Sequence, residues 1–263
     1  MRLDRRRIAV TRTEDQSDEL CSLLEEAGAI PVRCATIRVA PLESFEALDA
    51  ALSRLDTYRW LVLTSPNGVR SVVDRMAHLG VPASKLKGVQ VAAVGPGTAR
   101  ALSEHGIRPA FVPKEERSQA LAESLSPIAG ERILLARADI ADPAPAHILL
   151  RRGARLVDDV AAYRTLPAAP TASALEELRR GVDGITFTSP STVRGFLEVG
   201  PEWPTLVDGT IVASIGPVTT AAARDAGLMV HVEAEERTMR GLVEALARAF
   251  AGRTVELDVE KRK

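Results

Sequence analysis

Cysteine and histidine are scarce in this chain of 263 residues, which has two Cys and four His. Cys21 and Cys34 have neither a paired metal-binding spacing nor the arrangement of a disulfide framework. No protein-built metal site is expected, and the setting expected from these thiols is a reducing cytoplasm. Long hydrophobic runs are missing too. Every apolar stretch breaks off well short of the ~18 residues that a membrane span requires. The basic start MRLDRRR has no apolar stretch behind it, so it does not read as a secretory signal. Charge of one sign is also absent. Lys and Arg number 34 against 35 Asp and Glu, for a formal net charge of −1. Such a balance gives neither nucleic acid nor an anionic membrane a reason to bind. No GxxxxGKS/T phosphate loop occurs anywhere.

What is present is an ordinary soluble composition, 46% hydrophobic and 26% charged. The length suits two domains, because single cores stop growing efficiently near ~250–300 residues. Arg far outnumbers Lys, a bias that fits anion recognition and equally a GC-rich coding sequence. The sequence is also duplicated. WLVLTSPNGVRSVV (60–73) has a near-double in GITFTSPSTVRGFL (184–197), and VAAVGPGTARAL (91–102) has one in VASIGPVTTAAA (212–223). IAVTR (8–12) pairs with ILLAR (133–137), and LLEEAGAIPV (23–32) with ILLRRGARLV (148–157). Four matches in one order, all displaced by about 125 residues, mean two copies of one unit.

Each copy alternates strand and helix. Short apolar, β-branched runs at 7–11, 30–33, 132–136 and 154–158 read as strands. Leu20, Leu23, Leu24 and Ala27 recur with helical period over 14–27, and Gly28 is placed to stop that helix. Asp142-Pro143 opens the matching helix over 142–152. Helices follow each TSP (66–79 and 190–199) and each GPxT (96–105 and 217–226). Strands near 109–112 and 229–232 precede closing helices at 118–125 and 238–250. The last residues, VELDVEKRK, are expected to fray. Strands alternating with ten-residue helices imply parallel sheets covered on both faces. The expected class is α/β, two flavodoxin-like doubly wound domains.

Two helix-poor stretches, RCATIRVAP (33–41) and DVAAYRTLP (159–167), are also copies, and each ends in a proline that disfavours helix before it. They read as paired interdomain connectors. The first domain would then be discontinuous, 1–37 plus 164–263, and the second would be 42–158. A contiguous split near residue 130 is the alternative that the residues leave open.

In a doubly wound sheet, ligands settle beyond the carboxyl ends of the strands. Thr64-Ser65-Pro66, Ser189-Pro190, and the Gly95 and Gly216 turns all fall at such strand-to-helix junctions. Ser65 and Ser189 are placed as N-caps with proline in the first turn. Free amides at helix starts donate to carboxylate or phosphate. Gly95, Gly97 and Gly216 carry no side chain where a backbone would approach a ligand. Good caps and tight turns need all these residues as well, but four such turns in two copies favour an anionic ligand. GPGTAR is a weak match to a dinucleotide fingerprint, with Arg100 at the third glycine position. TSP lacks GxSxG surroundings, so a nucleophilic serine is not expected. VDDV (157–160) is like the acidic pocket of a response regulator but has no partnering Lys. Tyr163, where the first connector has Ile37, is able to donate a proton or hydrogen bond, or to pack an interface.

FTSPSTVRGF, IGPVTTAAA and DDVAAYRTLP, with their partial copies, resemble the uroporphyrinogen-III synthase family over roughly residues 5–250. The resemblance implies a lyase of tetrapyrrole and heme biosynthesis, cytoplasmic and without cofactor or metal. Its substrate would be hydroxymethylbilane, a linear tetrapyrrole with eight carboxylates. That chain would be closed to uroporphyrinogen III with loss of water and inversion of the terminal (D) pyrrole ring. Two α/β domains joined by a two-stranded connector, with the active site between them, are also implied, in line with the discontinuous boundaries. On this resemblance Tyr163 becomes the proton donor to the departing hydroxyl. Thr64, Ser65, Gly95, Thr98, Ser189, Gly216 and Thr219, with their amides, become carboxylate binders. Arg12 and Arg137 become further anchors, although Arg137 serves equally well to stabilise its own domain. Val218 departs from a usual polar residue, and Asn67 and Ser191 are given no role. A monomer is expected. The rival is a non-catalytic two-domain anion-binding or regulatory protein on the same fold.

Overall fold

The computed structural model describes residues 2–198, 200 and 208–260, with side chains as far as residue 252. Its strands are β1 (Arg7–Val10), β2 (Ile30–Arg33), β3 (Ile37–Ala40), β4 (Trp60–Leu63) and β5 (Gln90–Ala93). They continue with β6 (Arg132–Ala138), β7 (Leu156–Pro167), β8 (Gly184–Phe187), β9 (Ile211–Ser214) and β10 (Val232–Glu233). The chain divides into two compact units, Met1–Arg38 with Leu166–Lys263, and Val39–Thr165.

The first unit holds the sheet β10-β9-β8-β1-β2. Its strand pairs run parallel, with Ile8 opposite Pro31 on one side and Gly184 on the other. Counted along the chain, this is the flavodoxin order 2-1-3-4-5. Every residue of β8 and β9 is buried. A parallel sheet needs such unbroken apolar strands because helices cover both its faces. Alternate residues supply the two covers. Ile8, Val10, Ile211 and Ala213 join one cluster with Leu20, Leu24 and Leu246. Ala9, Ile185, Phe187 and Val212 join another with Val193 and Phe196. The Phe187 and Phe196 rings meet edge-on, 5.5 Å between centroids.

The second unit holds β3-β7-β6-β4-β5. Leaving out β3, which lies beyond β7, the strands β7-β6-β4-β5 follow that order as 2-1-3-4 when the count starts at β6, a circular permutation of the first unit's. Phe111 bridges to Ala92 at the fifth position. Leu61, Leu63, Leu134 and Ala136 face one cluster; Trp60, Val62, Ile133 and Leu135 face the other.

Helix starts and stops follow local chemistry. Helix Glu14–Glu26 ends before Gly28, whose φ of +86° is the left-handed C-terminal stop. Ser65 and Ser189 each accept a hydrogen bond from the amide three residues on, Gly68 at 3.0 Å and Thr192 at 3.3 Å.

Several expectations change. The strand at 154–158 and the stretch at 159–167 form one continuous strand, β7. The first connector contains β3. Helix Ala144–Arg151 begins later than Asp142, which accepts from the Ala144 amide at 2.9 Å from outside the helix. The strand at 109–112 shrinks to the Phe111 bridge, and that at 229–232 to Val232–Glu233. Helices Glu46–Ser53 and Ala172–Arg179 were not foreseen. The final helix runs Met239–Glu260, well into the tail expected to fray. Residues 261–263 of that tail lie outside the described residues. No described helix is long and apolar enough to cross a membrane.

Candidate active site

In the unit Val39–Thr165, β4 delivers Thr64 and Ser65 to the start of helix Pro66–His78. Ser65 has extended backbone, with φ −162° and ψ 156°, which turns its hydroxyl back onto the first helical turn. That hydroxyl also lies 2.9 Å from the Tyr163 hydroxyl. Tyr163 reaches it through an irregularity of β7. Arg137 is paired with Ala161 but Ala138 with Tyr163, so Ala162 is an extra residue. A bulge shifts the alternation by one and re-aims the side chains beyond it. Consecutive residues Ala162 and Tyr163 are accordingly both buried, with Tyr163 7% exposed.

Burial pushes the Tyr163 phenol above its ordinary value. The hydrogen bond with Ser65 opposes that rise, the Asp139 carboxylate adds to it, and a hydrogen bond with Asn67 opposes it. Asp139 is held close by two backbone contacts: its amide donates to the Tyr163 carbonyl at 3.0 Å, and its Oδ1 accepts from the Thr165 amide at 2.9 Å. Arg164 pairs with Glu43 and stands 3.9 Å from Asp139. Sequence reasoning gave Asn67 and Asp139 no part. The doubled TSP turn pointed to position 67, but nothing local pointed to Asp139.

Gly95 and Gly216 each precede the proline of a helix start, Pro96–Glu104 and Pro217–Asp225. Glycine at each N-cap has no side chain of its own to cap the amides of the first turn. Both glycines have extended backbone, and both are covered by the protein's own side chains. A Cβ on Gly95 would stand 2.8 Å from Glu116 Oε2, and one on Gly216 3.2 Å from Arg237 Cγ. Gly97 faces open space. Thr98 and Thr219 are buried, while Gly97 and Val218 are exposed at the matching turns.

Ser189 lies at the corresponding place in the first unit, but its hydroxyl pairs with that of Ser191 at 2.8 Å. Arg12 is partly buried and bonded to the Gln16 carbonyl and side chain, each at 3.0 Å. Burial lowers its pKa, against the pull of Glu19. Arg137 is almost fully buried. It grips Asp159 through two nitrogens and donates to the Asp142 carbonyl. The VDDV acids are thereby accounted for: Asp159 holds Arg137, and Asp158 holds Tyr58 and Arg54. Among the described residues no cluster of His, Cys, Asp and Glu is suited to a metal ion.

A family model described as uroporphyrinogen-III synthase HemD matches residues 18–244. The chain is 32% identical over 247 residues to a uroporphyrinogen-III synthase of Synechococcus elongatus, covering 91% of this chain and 93% of that one. A putative uroporphyrinogen-III synthase of Methanothermobacter thermautotrophicus is 30% identical over 250 residues, covering 91% and 97%. A solved uroporphyrinogen III synthase from Thermus thermophilus shares the fold, with a TM-score of 0.65, 22% identity and coverage of 94% and 99%. The structure of uroporphyrinogen-III synthetase from Helicobacter pylori does so at 0.60 and 18%, with coverage of 93% and 99%. Duplicated strand-to-helix turns, two mainly parallel sheets and a family match over most of the length converge: the chain belongs to the uroporphyrinogen-III synthase family.

Proposed function

We propose that the protein closes hydroxymethylbilane to uroporphyrinogen III, with Tyr163 as the proton donor. The observation that carries this assignment is the buried phenol hydrogen-bonded to the Ser65 cap at the end of β4. Its raised pKa keeps it protonated through the neutral range, which a donor requires. In the step, the bond between the terminal methylene carbon and its hydroxyl oxygen breaks. The electron pair leaves with oxygen, and the phenolic proton completes a water molecule. The pyrrole nitrogen supplies electrons to the carbon left behind. That carbon bonds to the substituted α-carbon of the terminal ring. The bond from that α-carbon to the neighbouring methylene then breaks and re-forms at the ring's free α-carbon, whose proton is released and restores the phenol.

One donor suffices for the loss of water; orientation is the harder task. The same bilane closes without inversion when it is free in solution. Holding a flexible chain in one reactive geometry is worth up to ~7–11 kcal/mol. The eight carboxylates offer the handles. The helix starts at Gly95–Thr98 and Gly216–Thr219, the Thr64-Ser65 and Ser189 turns, and Arg12 serve as their receptors. Each helix start contributes about 0.3–1 kcal/mol to an anion near it. Arg137 is already neutralised by Asp159, which favours a structural role for it. The reading carries with it a cytoplasmic, cofactor-independent monomer whose two units are joined by the stretches 33–41 and 159–167.

The test is a coupled assay on enzymatically made hydroxymethylbilane with analysis of the product isomer. Type III product is expected, and Tyr163→Phe is expected to lower turnover by on the order of 10²–10⁴. Type I product alone would remove the synthase reading in favour of an anion-binding protein, and a Tyr163→Phe enzyme of wild-type rate and selectivity would remove Tyr163.

A further inference from the structure

We infer that Ser65 is a positioning residue for Tyr163, relaying the polarity of a helix start to the phenolic oxygen as its proton leaves. The inference rests on the reading of Tyr163 as proton donor. A serine hydroxyl has one proton and two lone pairs. One lone pair of Ser65 is engaged by the Gly68 amide at 3.0 Å, and the Tyr163 oxygen lies 2.9 Å away. Before reaction either hydroxyl is able to donate across that contact. Once the phenolic proton has gone to the substrate oxygen, only Ser65 has a proton left to share. The phenolate then accepts from Ser65, and Ser65 accepts from the amide of the third helical residue. Two hydrogen bonds in series thus join the developing charge to the positive end of helix Pro66–His78. Asn67 adds a second contact to the phenol. Asp139 opposes the charge, and Arg164, paired with Glu43, stands near Asp139.

The duplicated unit supplies an internal comparison. Ser189 caps the Thr192 amide in the same way, but its hydroxyl turns to Ser191. The residue matching Tyr163 there is Ile37. Capping accounts for a serine in both copies. Only at Ser65 does the cap also touch a group that titrates, and it does so because the Ala162 bulge brings Tyr163 onto the right face.

The chain has just two tyrosines, so ring-carbon labelling of tyrosine gives two NMR resonances, Tyr58 and Tyr163, assigned with Tyr58→Phe. In Ser65→Ala, the Tyr163 resonance is expected to shift at neutral pH and its alkaline transition to move up, a loss of acidity of about tenfold. The turnover number should fall about 10- to 100-fold, the effect of removing one hydrogen bond to a charged group. Ser65→Thr should restore both. Ser189→Ala, which loses an equivalent cap, should leave the Tyr163 resonance in place. If Ser65→Ala does not fold, Ser65→Gly keeps an accepted cap residue without the hydroxyl and carries the same readouts. A folded Ser65 variant with an unmoved Tyr163 resonance and wild-type turnover overturns the inference. Wild-type protein that makes no type III product overturns the function itself, and the positioning role with it, even where the resonance moves.

Discussion

Gly195 offers a sharp test of how the first unit is packed. It lies in the interior of helix Pro190–Glu198, where alanine would ordinarily be favoured by about 1 kcal/mol. Here a Cβ would stand 2.2 Å from the Thr36 carbonyl oxygen and 2.6 Å from Ile37 Cγ2. Heavy atoms do not approach that closely, so an opening of roughly 1 Å is required, in an interior packed as densely as an organic crystal. Thr36 cannot easily supply it. Its amide donates to the Thr11 carbonyl at 3.2 Å and its hydroxyl to the Thr192 carbonyl at 2.9 Å. The carbonyl that would have to move accepts from the Ala168 amide at 3.0 Å. Overpacking costs about 1–3 kcal/mol, and a lost hydrogen bond adds about 1. After the helix propensity is subtracted, Gly195→Ala is expected to destabilise by about 1–3 kcal/mol. In calorimetry that is a fall of about 3–10 °C in the transition of the first unit. Gly252→Ala, in helix Met239–Glu260 with nothing within 4 Å, is the control and should stabilise by up to about 1 kcal/mol. A Gly195→Ala protein as stable as wild type, or more so, would refute the packing argument.

Arg137→Ala would leave Asp159 without its partner, and breaking a buried pair costs about 3–5 kcal/mol. Because Asp159 is partly exposed, a loss near the lower figure is expected in urea titration, and an unchanged midpoint would return Arg137 to substrate binding. Burial pushes the Cys34 thiol up to about 12. It should therefore resist a thiol reagent at pH 8 until the protein unfolds. A folded pKa above the unfolded one means that its contribution is intact below the unfolded thiol's value and is lost as pH rises toward 12. Denaturation midpoints should thus drop on the alkaline side for wild type more than for Cys34→Ala. With Tyr163 acting as an acid of raised pKa, turnover should stay level where other groups do not titrate. It should fall only above the ordinary tyrosine value of about 10. An alkaline limb centred near neutrality would assign the proton to another group.

How much of this was legible in the sequence depended on the range of the interaction. The Ser65 and Ser189 caps, the proline-led helix starts and the Gly28 stop are set within four residues, and each was readable from spacing. Strand burial was readable too, because an all-apolar run such as WLVL has only a doubly covered sheet to go to. Helix Glu46–Ser53 escaped notice because Phe45 stands at its N-cap and offers no capping oxygen. Helix Ala172–Arg179 did carry a signal, Thr171 accepting from the Ala174 amide, and duplication of the first would have completed the pair. The candidate site was half visible: Tyr163 and Ser65 were both named, but for separate tasks.

Their meeting belongs to tertiary structure alone. They are far apart in the chain, and the contact depends on β7 pairing with β6 and on a single extra residue, Ala162. A bulge leaves no mark in side-chain pattern strong enough to read, since Ala161 and Ala162 are chemically alike. Arg137 shows the same division. Its place at a strand end follows from local sequence, but its engagement by Asp159 follows from strand register. Sequence determines what short-range sterics and hydrogen bonds decide residue by residue: the elements, their ends and the twofold repeat. Which polar group completes which other is decided by the fold, because only folding brings distant donors and acceptors within about 3 Å, where a buried hydrogen bond has its strength.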